Sequence, residues 1–261
     1  AIHFDGEAMR VFQATGLAEE VLAHTHVGVG MLFKNADDEV LIDWSRAQDI
    51  GPMGWHESYR FHQPDLEVLL RQAVQSHPNI TVKTEMELLH LGQKSDHVSL
   101  QCLAGDSGLT SRMTASYVVG CDGARSSVRQ AMGVSMENLG FRQSWLVVDV
   151  LLYREMPELG DHSVQFCDAE RPMTYCRSPK NRRRLEITMQ AGESAGEMTD
   201  PDRVWQFLSR WITPDDAQIE RSVVYTFESA LAETWRKDRL LLAGDAAHLT
   251  PPFMGQGMCS G

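Results

Sequence analysis

Apolar residues recur along this chain with two different periods. Near the start, Ala8, Met9, Val11 and Phe12 fall at helix spacing between Asp5 and Ala14, Gly16 stops the run, and residues 17–22 predict a second short helix. Residues 28–34 and 39–44 alternate apolar with polar around Asn35-Ala-Asp-Asp38, which is the pattern of a hairpin. The stretch from Ser58 to Glu67 reads as a strand feeding a helix with Pro64 at its first position. Leu66, Leu69, Leu70, Ala73 and Val74 form that helix's apolar face. Between Thr81 and Ala115 the alternation predicts an antiparallel meander of three strands, broken at 90–97 and 105–108, and then a strand over 116–120. A short helix over 126–132 ends at Gly133. Strand-like segments at 141–154, 163–167, 173–177 and 183–190 follow, then a helix over 200–211 opened by Pro201 and a strand over 220–229. The apolar run 239–243 has the character of a buried parallel strand. Strands in the middle with α/β pieces at both ends predict an α/β (α+β) fold, a Rossmann-like domain interrupted by a second domain built on a mixed β-sheet.

The segment from Arg239 to Gly261 places an acid at a strand end, ahead of a glycine-rich turn. Gly244 lets the chain turn, and Asp245 projects from the carboxyl end of the strand. Open α/β sheets bind ligands there, and a carboxylate can accept hydrogen bonds from polyol hydroxyls. Pro251 and Pro252 stiffen the loop, Gly255 and Gly257 bare its backbone, and a helix is expected to begin near Met258 with N–H groups turned toward a partly anionic ring. Tyr117-Val-Val-Gly-Cys-Asp-Gly-Ala-Arg-Ser-Ser-Val-Arg129 is likewise an apolar strand, a tight turn at Asp122 and Gly123, and the opening of a helix. Taken singly, each is also an ordinary turn, the second with Ser126 as a plain helix cap.

Together and in this order, the two segments resemble the flavin motifs of the FAD-dependent aromatic hydroxylases, the group that contains p-hydroxybenzoate hydroxylase. The resemblance implies an FAD-binding domain over 1–135, without its first βαβ unit, a substrate-binding domain over 136–230, and a return to the FAD-binding domain over 231–261. It implies NADH or NADPH as co-substrate, O2, a small aromatic substrate and no metal. Carried onto this chain, Gly244 and Asp245 hold the ribitol or ribose side of FAD, and Gly255, Gln256 and Gly257 border the isoalloxazine edge. Pro251 and Pro252 line the ring facing the substrate, and Asp122 with Gly123 orders FAD and the nicotinamide. Arg129 meets a dinucleotide phosphate or, as the plainer alternative, is a solvated helix cation. Gln63 matches a glutamine that contacts FAD, with a capping or surface glutamine as the alternative. His248 is a candidate proton relay, set against a loop histidine satisfied by backbone. Cys259 departs from the pattern, because relatives carry an asparagine there that can donate an amide hydrogen bond.

Residues 2–17, Gln63-Pro64 and 145–149 are similar to the 3-(3-hydroxyphenyl)propionate hydroxylases, which implies hydroxylation of a phenolic acid ortho to its hydroxyl. Such a substrate carries a carboxylate, and Arg171, Arg177 and Arg183 are the candidate anchors. A hydroxylase of another phenol or polyketide, or a non-catalytic piece that binds flavin or an aromatic ligand, are the competing readings.

Composition narrows the classes. A net charge of −12, relieved only by Arg182-Arg183-Arg184, argues against nucleic acid as a partner. With 43% hydrophobic residues and no apolar run near the roughly 20 residues of a bilayer span, a globular protein without a membrane helix is expected. Five cysteines without metal-ligand spacing fit a reducing cytoplasm, and scattered histidines suggest no metal site. A homo-oligomer is compatible with the composition, though nothing in it argues for one. No strand before residue 100 is followed by G-x-G-x-x-G, since Gly28-Val29-Gly30 lacks the third glycine. The expectation is therefore an internal piece of a longer protein, inactive and with little FAD retention when isolated.

Overall fold

The computed structural model describes residues 2–105, 107–255 and 257–260, with Met254 described by its backbone alone. Along the chain run β1 (His3–Phe4), α1 (Gly6–Ala14), α2 (Ala18–Ala23), β2 (Thr25–Val27), β3 (Gly30–Lys34), β4 (Val40–Ser45), β5 (Tyr59–Phe61) and α3 (Gln63–Ser76). A meander of β6 (Met86–Gln93), β7 (Val98–Ala104) and β8 (Thr110–Ala115) leads to β9 (Val118–Gly120) and α4 (Ser127–Met132). Next come β10 (Met136–Leu152), β11 (Ser163–Phe166), β12 (Met173–Arg177), β13 (Arg182–Thr188), α5 (Ala195–Met198), α6 (Pro201–Leu208) and β14 (Ala217–Ala232). The last strands are β15 (Arg236–Lys237), β16 (Leu240–Leu242) and β17 (His248–Leu249).

Two compact units result. The first gathers the residues up to Leu69, Arg142–Phe227 and 254–259. Its large sheet has the order β14-β10-β13-β12-β11-β3-β4, and it is mixed because β3 runs parallel to β11 while β10 with β13, β13 with β12, β12 with β11 and β3 with β4 pair antiparallel. Alternation divides the faces of this sheet. Leu146, Val148, Val150 and Leu152 of β10, Leu185 and Ile187 of β13 and Val164 and Phe166 of β11 form a core with Val204 and Leu208 of α6. That helix starts where Asp200 accepts hydrogen bonds from the N–H groups of Asp202 and Arg203 and Pro201 takes the first turn. A small sheet, β1-β5-β2, packs Phe4, Tyr59 and Phe61 together with Phe12 of α1. Its register sets His3, Arg60 and His26 in one row across the three strands.

The second unit contains the meander and a three-stranded sheet, β15-β16-β9, in which β16 runs parallel to β9 with Leu242 opposite Gly120. Leu240, Leu242, Val128, Met132, Ala246 and Ala247 form its core together with Val98. α4 begins where the Ser126 hydroxyl accepts from the Arg129 N–H at 2.9 Å, and it ends at Gly133 in the left-handed conformation, φ +66°.

Several expectations change. The predicted boundaries keep 1–69 with 70–135, yet the first 69 residues cluster with the central strands because β3 pairs with β11. Val74 faces solvent at 38% exposure, so the apolar face of α3 is narrower than its spacing suggests. Turns occupy 257–260 in place of a helix near Met258. Among the described residues no helix is long and apolar enough to cross a membrane.

Candidate functional site

In the second unit, the parallel pairing of β9 and β16 brings the two predicted turns to neighbouring strand ends. The Ala243 N–H donates to the Gly120 carbonyl at 3.0 Å, so the chain leaves both strands side by side, toward Asp122 on one and Asp245 on the other. Gly120 permits this, because a Cβ there would lie 2.7 Å from the Val128 Cβ and hold α4 off the strand end. Asp122 Oδ2 accepts from the N–H groups of Ser127 at 2.7 Å and Val128 at 3.1 Å. Partial burial works against its ionisation, and hydrogen bonds from Ser126 and the backbone outweigh it, holding the carboxyl below the usual range. Gly123 takes φ +77° and Gly244 φ +56°, as tight turns at these places require. Asp245 is exposed within a single 3-10 turn, and among the described residues no hydrogen bond or ion pair engages its carboxylate. A polyol is a fitting partner for such a group.

Arg129 takes neither expected role. It is 8% exposed, with Nη1 donating to the Ala246 carbonyl at 2.9 Å and Nη2 to the Ala124 carbonyl at 2.6 Å. The guanidinium thus ties the Asp122 turn to the Asp245 turn from inside the protein. His248 is also corrected, since it belongs to β17 and its buried ring stacks on Trp235 with centroids 5.5 Å apart, a packing position and not a loop one. Pro251 and Pro252 are half-buried.

In the first unit, Gly255 is held against His3. The two hydrogen-bond at 3.2 Å between Nδ1 and the Gly255 carbonyl, and a Cβ on Gly255, whose φ is +68°, would meet the ring at 2.8 Å. His3 Nε2 lies 3.1 Å from the Ser58 hydroxyl. Burial, with Arg60 adding to it, lowers the His3 pKa to about 4, so its imidazole is neutral at pH 7. The Cys259 thiol lies 4.0 Å from the same carbonyl, and burial followed by Asp5 pushes it up to about 11. It therefore stays protonated. Gly257 is exposed in the following turn, whereas the candidate Gln256 lies outside the described residues. Gln63 is exposed at the start of α3, its side-chain amide donating to Glu67 at 2.9 Å.

The three predicted anchors are engaged by the protein. Arg171 donates to both oxygens of Glu193, at 3.0 and 2.7 Å, and also to Thr188 and Gln190. These bonds, Arg171 foremost, hold the Glu193 pKa down to about 2. Arg177 is paired with Asp161. Arg183 falls in the alternation with Leu185 and Ile187 and is 3% exposed, with Nη1 donating to the carbonyls of Lys180 and Arg182. Nε of Arg177 and of Arg183 is nevertheless buried without a hydrogen-bond partner among the described residues. His3 and Arg60, missing from the sequence-based candidates, sit in strands of two and three residues, too short for a periodic pattern to single them out.

Comparison with known proteins identifies the family and the fold. The chain spans about half the length of the curated relatives it matches. A Rhodococcus jostii (strain RHA1) protein, named Probable NADH-specific resorcinol 4-hydroxylase, is 37% identical over 261 residues, covering 100% of this chain and 49% of the relative. The 3-(3-hydroxy-phenyl)propionate/3-hydroxycinnamic acid hydroxylase of Escherichia coli O157:H7 (strain EC4115 / EHEC) is 33% identical over 262 residues, covering 100% of this chain and 46% of that one. Among solved structures, p-nitrophenol 4-monooxygenase from Pseudomonas putida DLL-E4 shares the fold with a TM-score of 0.86 at 18% identity, covering 99% of this chain and 65% of that one. Aklavinone-11 hydroxylase, in its ternary complex with FAD and aklavinone, gives 0.80 at 21%, covering 100% of this chain and 52% of that one. The model of the FAD binding domain family matches residues 1–261, and the chain belongs to that family.

Proposed function

We propose that the protein containing this chain is an FAD-dependent aromatic hydroxylase that uses NADH and O2 to hydroxylate a phenol. The observation that carries this reading is the pair of acidic turns at adjacent parallel strand ends, one carboxylate committed to α4 and the other, Asp245, left exposed for a ligand. FAD, when bound, supplies the redox and oxygen-transfer chemistry. Asp245 would accept hydrogen bonds from the ribityl or ribose hydroxyls, and the turn it stands on is fixed from behind by Arg129. Backbone N–H groups of Gly255 and Gly257 would favour negative charge on a ring edge set against them. Neutral His3 holds the Gly255 carbonyl without adding a cation nearby.

The two named curated relatives support different phenols, an uncharged dihydroxybenzene and a phenolic acid. The phenolic acid, expected from sequence as 3-(3-hydroxyphenyl)propionate, loses support from the engagement of Arg171, Arg177 and Arg183. The test is NADH oxidation by the full-length, FAD-loaded protein with a panel of phenols, with product identified by mass. Substrate-stimulated oxidation coupled to a hydroxylated product is expected. A flavin-loaded enzyme that no phenol stimulates would exclude hydroxylase function.

A further inference from the structure

The Gly255 carbonyl in the first unit is held by an imidazole whose own proton is fixed by its neighbours. His3 and Ser58 are 4% and 3% exposed, and the ring joins the Ser58 hydroxyl on one side, at 3.1 Å, to the Gly255 carbonyl on the other, at 3.2 Å. A carbonyl oxygen can only accept, so Nδ1 carries the proton. Burial and the neighbouring Arg60 keep the ring neutral, which leaves Nε2 as an acceptor and makes the Ser58 hydroxyl its donor. Donation therefore runs from Ser58 to His3 to Gly255.

Three glycine and arginine positions around this chain of donors serve it. A Cβ on Gly28 would lie 2.5 Å from the Ser58 Oγ, and the Gly28 N–H donates to the Ser58 carbonyl at 2.9 Å. The first glycine of Gly28-Val29-Gly30, a segment too short of glycine for a dinucleotide fingerprint, thus makes room for the hydroxyl that orients His3. Arg60, opposite His3 in register, has its Nη2 committed to the Ser163 hydroxyl at 2.7 Å. At the far end Gly255 has φ +68°, and a Cβ there would meet the ring at 2.8 Å, so the missing side chain is what lets the imidazole close on the carbonyl. The Cys259 thiol, at 4.0 Å, is turned to the same oxygen. An oxygen committed in this way is not free to turn toward a ligand of the loop.

We infer that His3 is a positioning residue for the flavin, holding the Gly255 carbonyl so that the loop offers the ring its N–H groups and not this oxygen. This rests on the reading above that Gly255 and Gly257 border the isoalloxazine edge. A carbonyl lone pair turned to that edge would oppose the negative charge that reduction places on the ring, so freeing it should weaken reduced FAD more than oxidised FAD. His3 acts through Gly255 and itself takes up no proton or electron.

The test uses the full-length, FAD-loaded protein and substitutions that separate the two ring nitrogens, since the amide nitrogen of asparagine stands about where Nδ1 does and that of glutamine about where Nε2 does. His3→Gln should weaken reduced FAD about tenfold more than oxidised FAD, read as a two-electron midpoint potential about 30 mV below wild type. His3→Asn, which keeps the donor to Gly255, should stay within about twofold of the wild-type ratio. A His3→Gln ratio inside that same range, or His3→Asn shifted as far as His3→Gln, overturns the inference, because packing would then be all that His3 supplies. If a thermal melt shows that His3→Gln does not fold, Ser58→Ala takes its place. Removing the donor to Nε2 should change the ratio about threefold in the same direction, and an unchanged ratio overturns the inference. Nitrogen-15 shifts of the His3 imidazole in the apoprotein, assigned by their loss in His3→Asn, should show the proton on Nδ1, and a proton on Nε2 overturns it as well. A wild type that takes up no FAD would sink the FAD reading and this role with it, whereas a flavin-loaded His3→Gln with an unshifted potential would sink only the role of His3.

Discussion

Replacing Arg129 by methionine keeps most of the apolar stem and removes the two donors that join the Ala124 and Ala246 carbonyls. Hydrogen bonds to a charged group contribute about 1.5–3 kcal/mol each, so the variant should lose about 3–4 kcal/mol once some relaxation of the turns is allowed. For a protein of this size or larger, that is a fall in melting temperature of roughly 6–12 °C. Arg129→Lys, able to reach one carbonyl, should lose about half as much. Urea unfolding of the full-length protein measures it, read as a lower midpoint at unchanged slope, alongside FAD retention through gel filtration. FAD should be lost in parallel, because the turn carrying Asp245 is no longer tied to the turn at Asp122. A methionine variant within about 0.5 kcal/mol of wild type would place Arg129 with ordinary surface cations and refute the clamp.

Gly255→Ala must accommodate a Cβ 2.8 Å from the His3 ring at φ +68°. Left-handed strain alone is about 1–2 kcal/mol, so a lower melting temperature and weaker FAD binding are expected, with Gly257→Ala as the milder control. His3, whose pKa falls from 6.5 to about 4 on folding, sets a pH dependence. The unfolded chain binds this proton first, so the stabilisation is complete above pH 6.5 and is lost as pH falls toward 4, with a ceiling of about 3 kcal/mol. His3→Gln should flatten that limb in pH-dependent urea unfolding, whereas an unchanged limb would deny the shift. With its thiol near 11, Cys259 should react with iodoacetamide at pH 8 far more slowly than the exposed Cys121 and Cys167. Peptide mapping after timed labelling reads this, and equal rates would contradict it.

The parts of the fold that sequence conveys well are those where one residue type has one physical use. Gly120, Asp122, Ser126 and Gly133 announce a strand, a turn, a cap and a stop, and the structure has all four. The same holds for Gly244 and Asp245 after the apolar run that becomes β16. Where several chemistries share a residue type, sequence is silent. Arg129, Arg171 and Arg184 look alike in the chain, and only the fold shows a buried clamp, an ion pair with Glu193 and a chelate with Asp149. Alternation also misleads at an edge, since β4 has the pattern of a half-buried strand and yet all six of its residues are exposed. β10 begins at Met136 and β14 runs from Ala217 to Ala232, longer than the apolar pattern, because the first residues of β10 are mostly exposed and the added ends of β14 carry small buried alanines, Ala217, Ala230 and Ala232.

The central claim is that Asp245 is a flavin-holding carboxylate, and FAD affinity of the full-length protein tests it most directly. Titration of the apoprotein with FAD, followed by flavin fluorescence, should show Asp245→Ala binding about ten- to hundredfold more weakly than wild type while its melting temperature without FAD is unchanged. Equal affinity in the two proteins, or a wild type that takes up no FAD, would contradict the account.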